Sequence, residues 1–284
     1  GPSPIAMQAI AEMRFPHIYP DPESRELRAA LSGYTGVPAD LLMAGSGADE
    51  LIDLLLRVML EPGDTTIYCP PTFSMYNFDT RLNNGNPIEI PRCEDFSLDV
   101  KAIEKSVIQH KPKVLFLTVP NNPDGGLPDT ETINQLLELP TLVVIDEAYI
   151  DFGGESAISL IDRFKNLLVI RTFSKSMSLA ALRLGFAMGD EDLISALFAV
   201  KDSFNSYPAD LIAQKIGEIA INDTEYYSAI TQKIILNRES LSKQLQSLGW
   251  NVLPSGANFI FAGKKGLSGE TVYRRLKEEG ILVR

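Results

Sequence analysis

Two side chains in this chain follow directly on apolar runs and suit neither place. Asp146 ends LVVID (Leu142 to Asp146), and Lys175 comes just after VIRTFS (Val169 to Ser174). A carboxylate at the end of a buried strand is costly unless a cation or a hydrogen-bond donor meets it. An internal arginine would answer that need, and so would a cationic ligand. A lysine beyond a strand is commonly a solvated loop residue, but Ser174 and Ser176 flank this one and Arg183 follows eight positions later (183 − 175). Desolvation and nearby positive charge both favour the neutral, nucleophilic amine. Tyr149, three residues past Asp146, can point its phenol into the same cleft.

Two more segments could serve a ligand. AGSGADE (Ala44 to Glu50) presents free backbone N–H groups at a helix N-terminus, which favours an anion such as phosphate, although a capped turn has the same composition. VPNNPDGG (Val119 to Gly126) reads equally as a tight turn or as a turn in which Asn122 offers an amide to a ligand oxygen.

The surrounding elements must bring these four segments together. Leu41 to Ala44 is expected as a strand, Gly45-Ser46-Gly47 as a turn, and Ala48 to Leu60 as a helix from its apolar spacing. Further strands are expected at Thr66 to Cys69, Pro87 to Ile90, Val114 to Val119, Leu142 to Ile145, Leu167 to Arg171 and Gly185 to Met188. Helices at Asp99 to Gln109, Asp129 to Glu138 and Glu191 to Val200 separate several of them. Apolar strands alternating with helices predict an α/β fold whose mostly parallel sheet is covered on both faces. Ligands of such sheets bind off the carboxyl ends of the strands, where the four segments fall. From about Ser206 the texture changes to long polar helices, with Tyr226 to Leu248 the longest, then a strand at Asn258 to Phe261 and a helix near Glu270 to Glu279. The expected organisation is an N-terminal arm over 1–25, a large domain over 26–205 and a smaller α/β domain over 206–284.

Whole-chain numbers exclude several functions. The 284 residues exceed the roughly 100 to 200 of one ordinary domain, which agrees with a large domain plus a companion. The net charge of −11 has the wrong sign for a phosphate-backbone binder, so no nucleic-acid partner is expected. Two cysteines, Cys69 and Cys93, are too few for a disulfide framework, which favours a reducing cytoplasm. No apolar run approaches the roughly 20 residues of a membrane span, and GPSPIAMQAI is not a signal peptide. His17 and His110 are the only histidines, which leaves little for a His-based metal site or a Ser-His-Asp triad, and no metal is expected.

A phosphate cup, a buried acid, hydrogen-bond donors and one amine are what pyridoxal 5′-phosphate requires. Its aldehyde forms an imine with a lysine, and its ring nitrogen stays protonated beside a buried carboxylate. At this point the chain closely resembles the fold-type I aminotransferases and, among them, the histidinol-phosphate aminotransferase family. YPDP (Tyr19 to Pro22), GSGADELI, EPGD with YCPPTFSMY, PNNP, DEAYIDF, RTFSKSMSLAALRLGF and SGANFIF occur in family order over nearly the whole length. The resemblance implies that Lys175 forms the imine and shuttles protons in a ping-pong reaction, and that Asp146 pairs with the pyridinium. It implies that Asn122 and Tyr149 hold the phenolic oxygen, and that Ala48 and Asp49 amides hold the phosphate together with Ser174 and Arg183. Phe73 stands where the family usually stacks a tyrosine on the ring, and a phenyl ring keeps that stacking. Tyr19 resembles the residue that reaches the neighbouring subunit's cofactor, which implies a homodimer with shared sites. Arg284, with Asn258 of SGANFIF, is expected on the substrate side, where a guanidinium suits a phosphate.

Some positions depart from the family. Asp124 follows PNNP where threonine is common, and Ala181 stands where glycine is common. The chain begins at GPSP, similar to the tail of an asparagine-rich substrate motif, and stops at Arg284, ahead of the arginine used for the substrate carboxylate. A protein truncated there is expected to turn over poorly. The leading expectation is transamination between histidinol phosphate and 2-oxoglutarate. A threonine-phosphate decarboxylase or an aromatic aminotransferase would share the cofactor residues, and a ligand-sensing module that kept the fold is the non-enzymatic alternative.

Overall fold

The computed structural model describes residues 1–14 and 17–284; residues 15 and 16, within the expected N-terminal arm, lie outside that description. The chain runs α1 (Pro4–Ala11), α2 (Arg25–Thr35), β1 (Leu42–Gly45), α3 (Gly47–Met59), β2 (Thr65–Tyr68), α4 (Met75–Leu82) and β3 (Asn86–Glu89). It continues through α5 (Val100–His110), β4 (Val114–Thr118), α6 (Thr130–Leu137), β5 (Leu142–Asp146), β6 (Leu167–Thr172), β7 (Gly185–Gly189) and α7 (Glu191–Phe204). Then come α8 (Leu211–Asn222), α9 (Thr224–Ser247), β8 (Asn251–Val252), β9 (Ala262–Gly263) and α10 (Gly269–Glu278).

The central strands have no polar face because both of their faces are covered. Leu115, Leu117, Val143, Ile145, Leu167 and Val169 join one core cluster, with Leu27 of α2, Ile103 of α5, Leu136 of α6 and Ile216 of α8. The alternate residues Val114, Phe116, Val144, Leu168 and Ile170 join the other, with Leu51 and Leu55 of α3, Tyr76 of α4 and Leu197 of α7. Strand alternation thus sorts one apolar run onto two helical layers. The seven strands lie in the order β1-β7-β6-β5-β4-β2-β3. The pairs β2–β3, β2–β4, β4–β5 and β5–β6 are parallel, while β7 runs antiparallel to both β6 and β1. A mostly parallel α/β sheet was expected, and the reversed β7 is its one departure.

α8, beyond the boundary expected at 205/206, packs into the first cluster through Ala213, Ile216 and Ala220. The strand expected over Asn258 to Phe261 is not formed; the β8–β9 pair falls at Asn251–Val252 and Ala262–Gly263 instead. The reason is local. Ser255 Oγ accepts from Ala257 N and donates to Phe259 O, and Gly256 N bonds to Gly125 O, so the chain enters this stretch through a side-chain-held turn that takes one of its carbonyls. Near the N-terminus, the YPDP segment is tied down by two side chains. Lys201, 1% exposed, donates to Pro22 O at 2.7 Å, and Gln214 Nε2 donates to Asp21 O at 2.9 Å. Among the described residues, no helix is long and apolar enough to cross a membrane.

Candidate active site

The strand register assembles the site. Thr118 of β4 pairs with Asp146 of β5, Asp146 with Ile170 of β6, Thr172 of β6 with Gly185 of β7, and Gly185 with Gly45 of β1. The carboxyl ends of four strands and the amino end of β7 therefore share one edge of the sheet. α3 begins at that edge. Gly47 has φ of +85°, and a Cβ on Gly185 would sit 2.7 Å from both Ala48 N and Gly47 C, so the turn into α3 closes only over glycine. Glu50 reaches back to cap Ser46 N at 2.5 Å, which leaves the amides of the next residues for another acceptor.

A cavity of about 240 Å³ opens at this edge. Asp146, Tyr149, Lys175, Asn122 and Phe73 line it. Ala48, Asp49, Ser174 and Arg183 complete the set expected from the sequence, with Tyr19 alone of the cofactor residues outside it. Beyond β6, Thr172 Oγ1 accepts from Ser174 N at 3.1 Å and Phe173 plugs into the core at 1% exposure. That pair turns the chain so that Lys175 faces the cavity, its Nζ 5.2 Å from the Tyr149 ring centroid.

Asp146 is 5% exposed, and burial pushes its carboxyl up to about 6. The partners that oppose this are the Tyr76 hydroxyl, which donates at 2.8 Å, and Ala148 N at 3.0 Å. An arginine partner, one of the two resolutions open in the sequence, is not what the carboxylate meets. Tyr76 is not among the residues expected at the site from the sequence. It lies 70 positions from Asp146, also bonds Thr118 Oγ1 at 2.7 Å, and stacks on Phe116 with centroids 4.6 Å apart. Its only sequence signal was its place in YCPPTFSMY. Phe73 meets the edge of Tyr76 at 5.5 Å.

At the other end of the cavity, Arg183 adopts φ of +47° and its Nη2 pairs with Asp49 Oδ2 at 2.9 Å. Both side chains are about half exposed, at 50% and 53%, so the pair is worth little and another anion can compete for the guanidinium. The site therefore offers an amine, a buried acid and a cationic rim in a single space. A sequence profile of aminotransferase class I and II matches residues 2–284. The chloroplastic histidinol-phosphate aminotransferase of Nicotiana tabacum is 41% identical over all of this chain and 69% of that protein. The chain belongs to the histidinol-phosphate aminotransferase family. The enzyme of that name from Roseiflexus castenholzii is likewise 41% identical, over all of the chain and 78% of the relative. Among solved structures, histidinol-phosphate aminotransferase from Sinorhizobium meliloti in complex with pyridoxal 5′-phosphate superposes with a TM-score of 0.91. It is 26% identical, and the match covers the whole chain and 79% of that structure.

Several positions of this aminotransferase lie away from the cavity. Tyr19 is 78% exposed and stacks on Tyr207 at 4.8 Å. Asn258 and Arg284 are exposed and do not line the cavity. The two asparagines of PNNP divide their work. Asn122 faces the cavity, while Asn121 is fully buried, accepting from Thr72 Oγ1 at 2.7 Å and donating to Pro71 O at 3.0 Å. Asp124, one of the departures from the family pattern, is 1% exposed; it accepts from Asn121 and from Gly126 N, so it shapes the turn that presents Asn122.

Proposed function

We propose that this aminotransferase binds pyridoxal 5′-phosphate and exchanges an amino group between histidinol phosphate and a 2-oxo acid such as 2-oxoglutarate, in histidine biosynthesis. The observation that carries this reading is the convergence of Asp146 from one segment with Lys175 and Arg183 from another on one cavity beside the start of α3. The residues fit the group on three counts. Asp146 is buried with neutral donors where a ring cation would relieve it, the α3 amides are approached over glycine, and Phe73 supplies an apolar face.

When bound, the cofactor supplies an aldehyde that combines with amines and a ring that withdraws electrons from the substrate α-carbon. The chain's own groups perform the remaining work. Lys175 would be the base that takes the proton from the substrate α-carbon. Asp146 would keep a proton on the ring nitrogen, with Tyr76 and Ala148 N holding the carboxylate in place. Asn122 and Tyr149 would hold the phenolic oxygen. The Ala48 and Asp49 amides, the Ser174 hydroxyl and an Arg183 released from Asp49 would hold the phosphate. Arg284 and Asn258 capture the substrate's phosphate from the solvent side. Steady-state kinetics are ping-pong, giving parallel double-reciprocal lines.

The assembly is a symmetric homodimer in which Tyr19 reaches the phosphate of the neighbouring copy. Its support is the outward ring of Tyr19 and the exposed apolar residues Ile5 and Met7 on α1 and Phe78 and Leu82 on α4. The division into arm, large and small domains is retained as part of this reading, as is a cytoplasmic setting, supported by two free thiols. Borohydride reduction of the cofactor-loaded protein, followed by peptide mapping, places the label on Lys175; a label elsewhere overturns the reading. Rates on histidinol phosphate, O-phosphothreonine and phenylalanine then choose the substrate, and inactivity on the first removes the assignment.

A further inference from the structure

On the opposite face of the sheet from the cavity lies a polar cluster that the chemistry above does not use. Strand alternation puts Glu147 and Arg171 there, each one residue beyond a position that faces the second core layer. Glu147 is 2% exposed, and its carboxylate accepts from Arg171 Nε at 2.9 Å, Ser156 Oγ at 2.8 Å and Ala157 N at 2.6 Å. Four residues on, Asp151 Oδ2 accepts from the Ser176 hydroxyl. Its Oδ1 faces the Tyr34 hydroxyl at 3.5 Å and Arg171 Nη1 at 4.0 Å. Burial pushes the Tyr34 phenol up to about 12, so it remains a donor.

Two segments thus have paired duties. One presents Asp146 and Tyr149 to the cavity and Glu147 and Asp151 behind it; the other presents Ser174 and Lys175 to the cavity and Arg171 and Ser176 behind it. Phe173, Met177 and Leu179 pack the second segment into the first core cluster, but Ser176 itself borders open space. A space of about 160 Å³, lined among others by Tyr34, Asp151, Ser176, Met177 and Tyr227, lies directly behind the lysine turn. Beside that space the hydrogen bond to Asp151 is what holds the Ser176 side chain. Ser176 is 5% exposed and adjoins the lysine, so a movement of Ser176 moves Lys175 with it.

We propose that Asp151 is a positioning residue for Lys175: through Ser176 it sets where the amine sits relative to Tyr149 and Asp146. The inference rests on the role given to Lys175 above. Its test uses the full chain loaded with pyridoxal 5′-phosphate, in the variants Ser176→Ala, Asp151→Ala, Asp151→Asn and the double alanine. Borohydride labelling of Lys175 in the parent comes first; its failure strikes the cofactor reading and not the positioning claim. The readouts are the pH midpoint of the bound cofactor's visible absorbance, kcat and KM for histidinol phosphate, and the melting temperature.

Ser176→Ala and Asp151→Ala are each expected to move the midpoint in the same direction and to lower kcat about tenfold, with KM held within about twofold. The double variant is expected to match the singles, because one interaction is lost in all three. Asp151→Asn keeps an acceptor for Ser176 and is expected to recover most of the loss. Asp151→Ala also strips Arg171 of a neighbouring charge, so Ser176→Ala decides the matter if the former does not fold. A midpoint unchanged in Ser176→Ala, a fall in melting temperature alone, or multiplicative losses in the double variant would each overturn the proposal.

Discussion

A phenol at position 76 is what keeps a carboxylate tolerable at position 146. Removing it with Tyr76→Phe leaves Asp146 with a single backbone donor at fixed burial, at a cost of about 1–3 kcal/mol in denaturant unfolding at pH 8. The same variant is expected to cost less at pH 5, where the carboxyl can hold its own proton. Folded Asp146 keeps that proton up to about pH 6, against 3.8 for the ordinary group. The folded state therefore binds more protons between these values, and the stability of the cofactor-free protein falls as pH rises from about 4 to about 6, by on the order of 3 kcal/mol for this group. Above pH 6 it levels off. Asp79, which burial also pushes up to about 6, adds to the same slope. Asp146→Asn is expected to remove part of the slope and not all of it, as read from urea unfolding across that range. Loading with the cofactor opposes the Asp146 share, since a ring cation favours the ionised acid.

At the level of the element, the meeting of β7 with the start of α3 is the tightest joint at the site. Gly185→Ala drives a methyl to 2.7 Å from backbone atoms that cannot rotate away, and is expected to cost about 1–3 kcal/mol and weaken cofactor binding, measured by thermal melting and by titration. Gly263→Ala, where nothing lies within 4 Å, is the control and is expected to change neither. The same elements explain what sequence could disclose. β4, β5 and β6 are legible to within about a residue because they are apolar on both faces, and Asp146 and Lys175 are legible because they break such runs. α1, α2 and α4 are not among the elements expected from the sequence. The sequence of α4, MYNFDTRL, mixes polar and aromatic residues, and only its packing shows that Tyr76 is wholly buried while Phe78 is 58% exposed. The strand expected at Asn258 to Phe261 failed for another reason: Ser255 Oγ takes Phe259 O and Leu253 N takes Phe261 O, contacts that no periodicity records.

For the whole molecule, the proposed shared-site dimer is tested by a mixing experiment. Tyr19→Ala and Lys175→Ala are each expected to be nearly inactive alone. Refolded together, half of the dimers carry one complete site out of two, so activity is expected to return to about a quarter of the parent's. No recovery on mixing means that Tyr19 does not serve the other copy.

The buried ammonium of Lys201 and the amide of Gln214 bear on how such a pair comes together. By holding the carbonyls of Asp21 and Pro22, they anchor the strap that carries Tyr19 within a single copy. Little configurational freedom is then left to surrender on encounter, and the protruding ring acts as a preset probe. Lys201→Met should let the strap wander, slowing association and raising the dissociation constant of the proposed dimer while the sheet melts nearly as before.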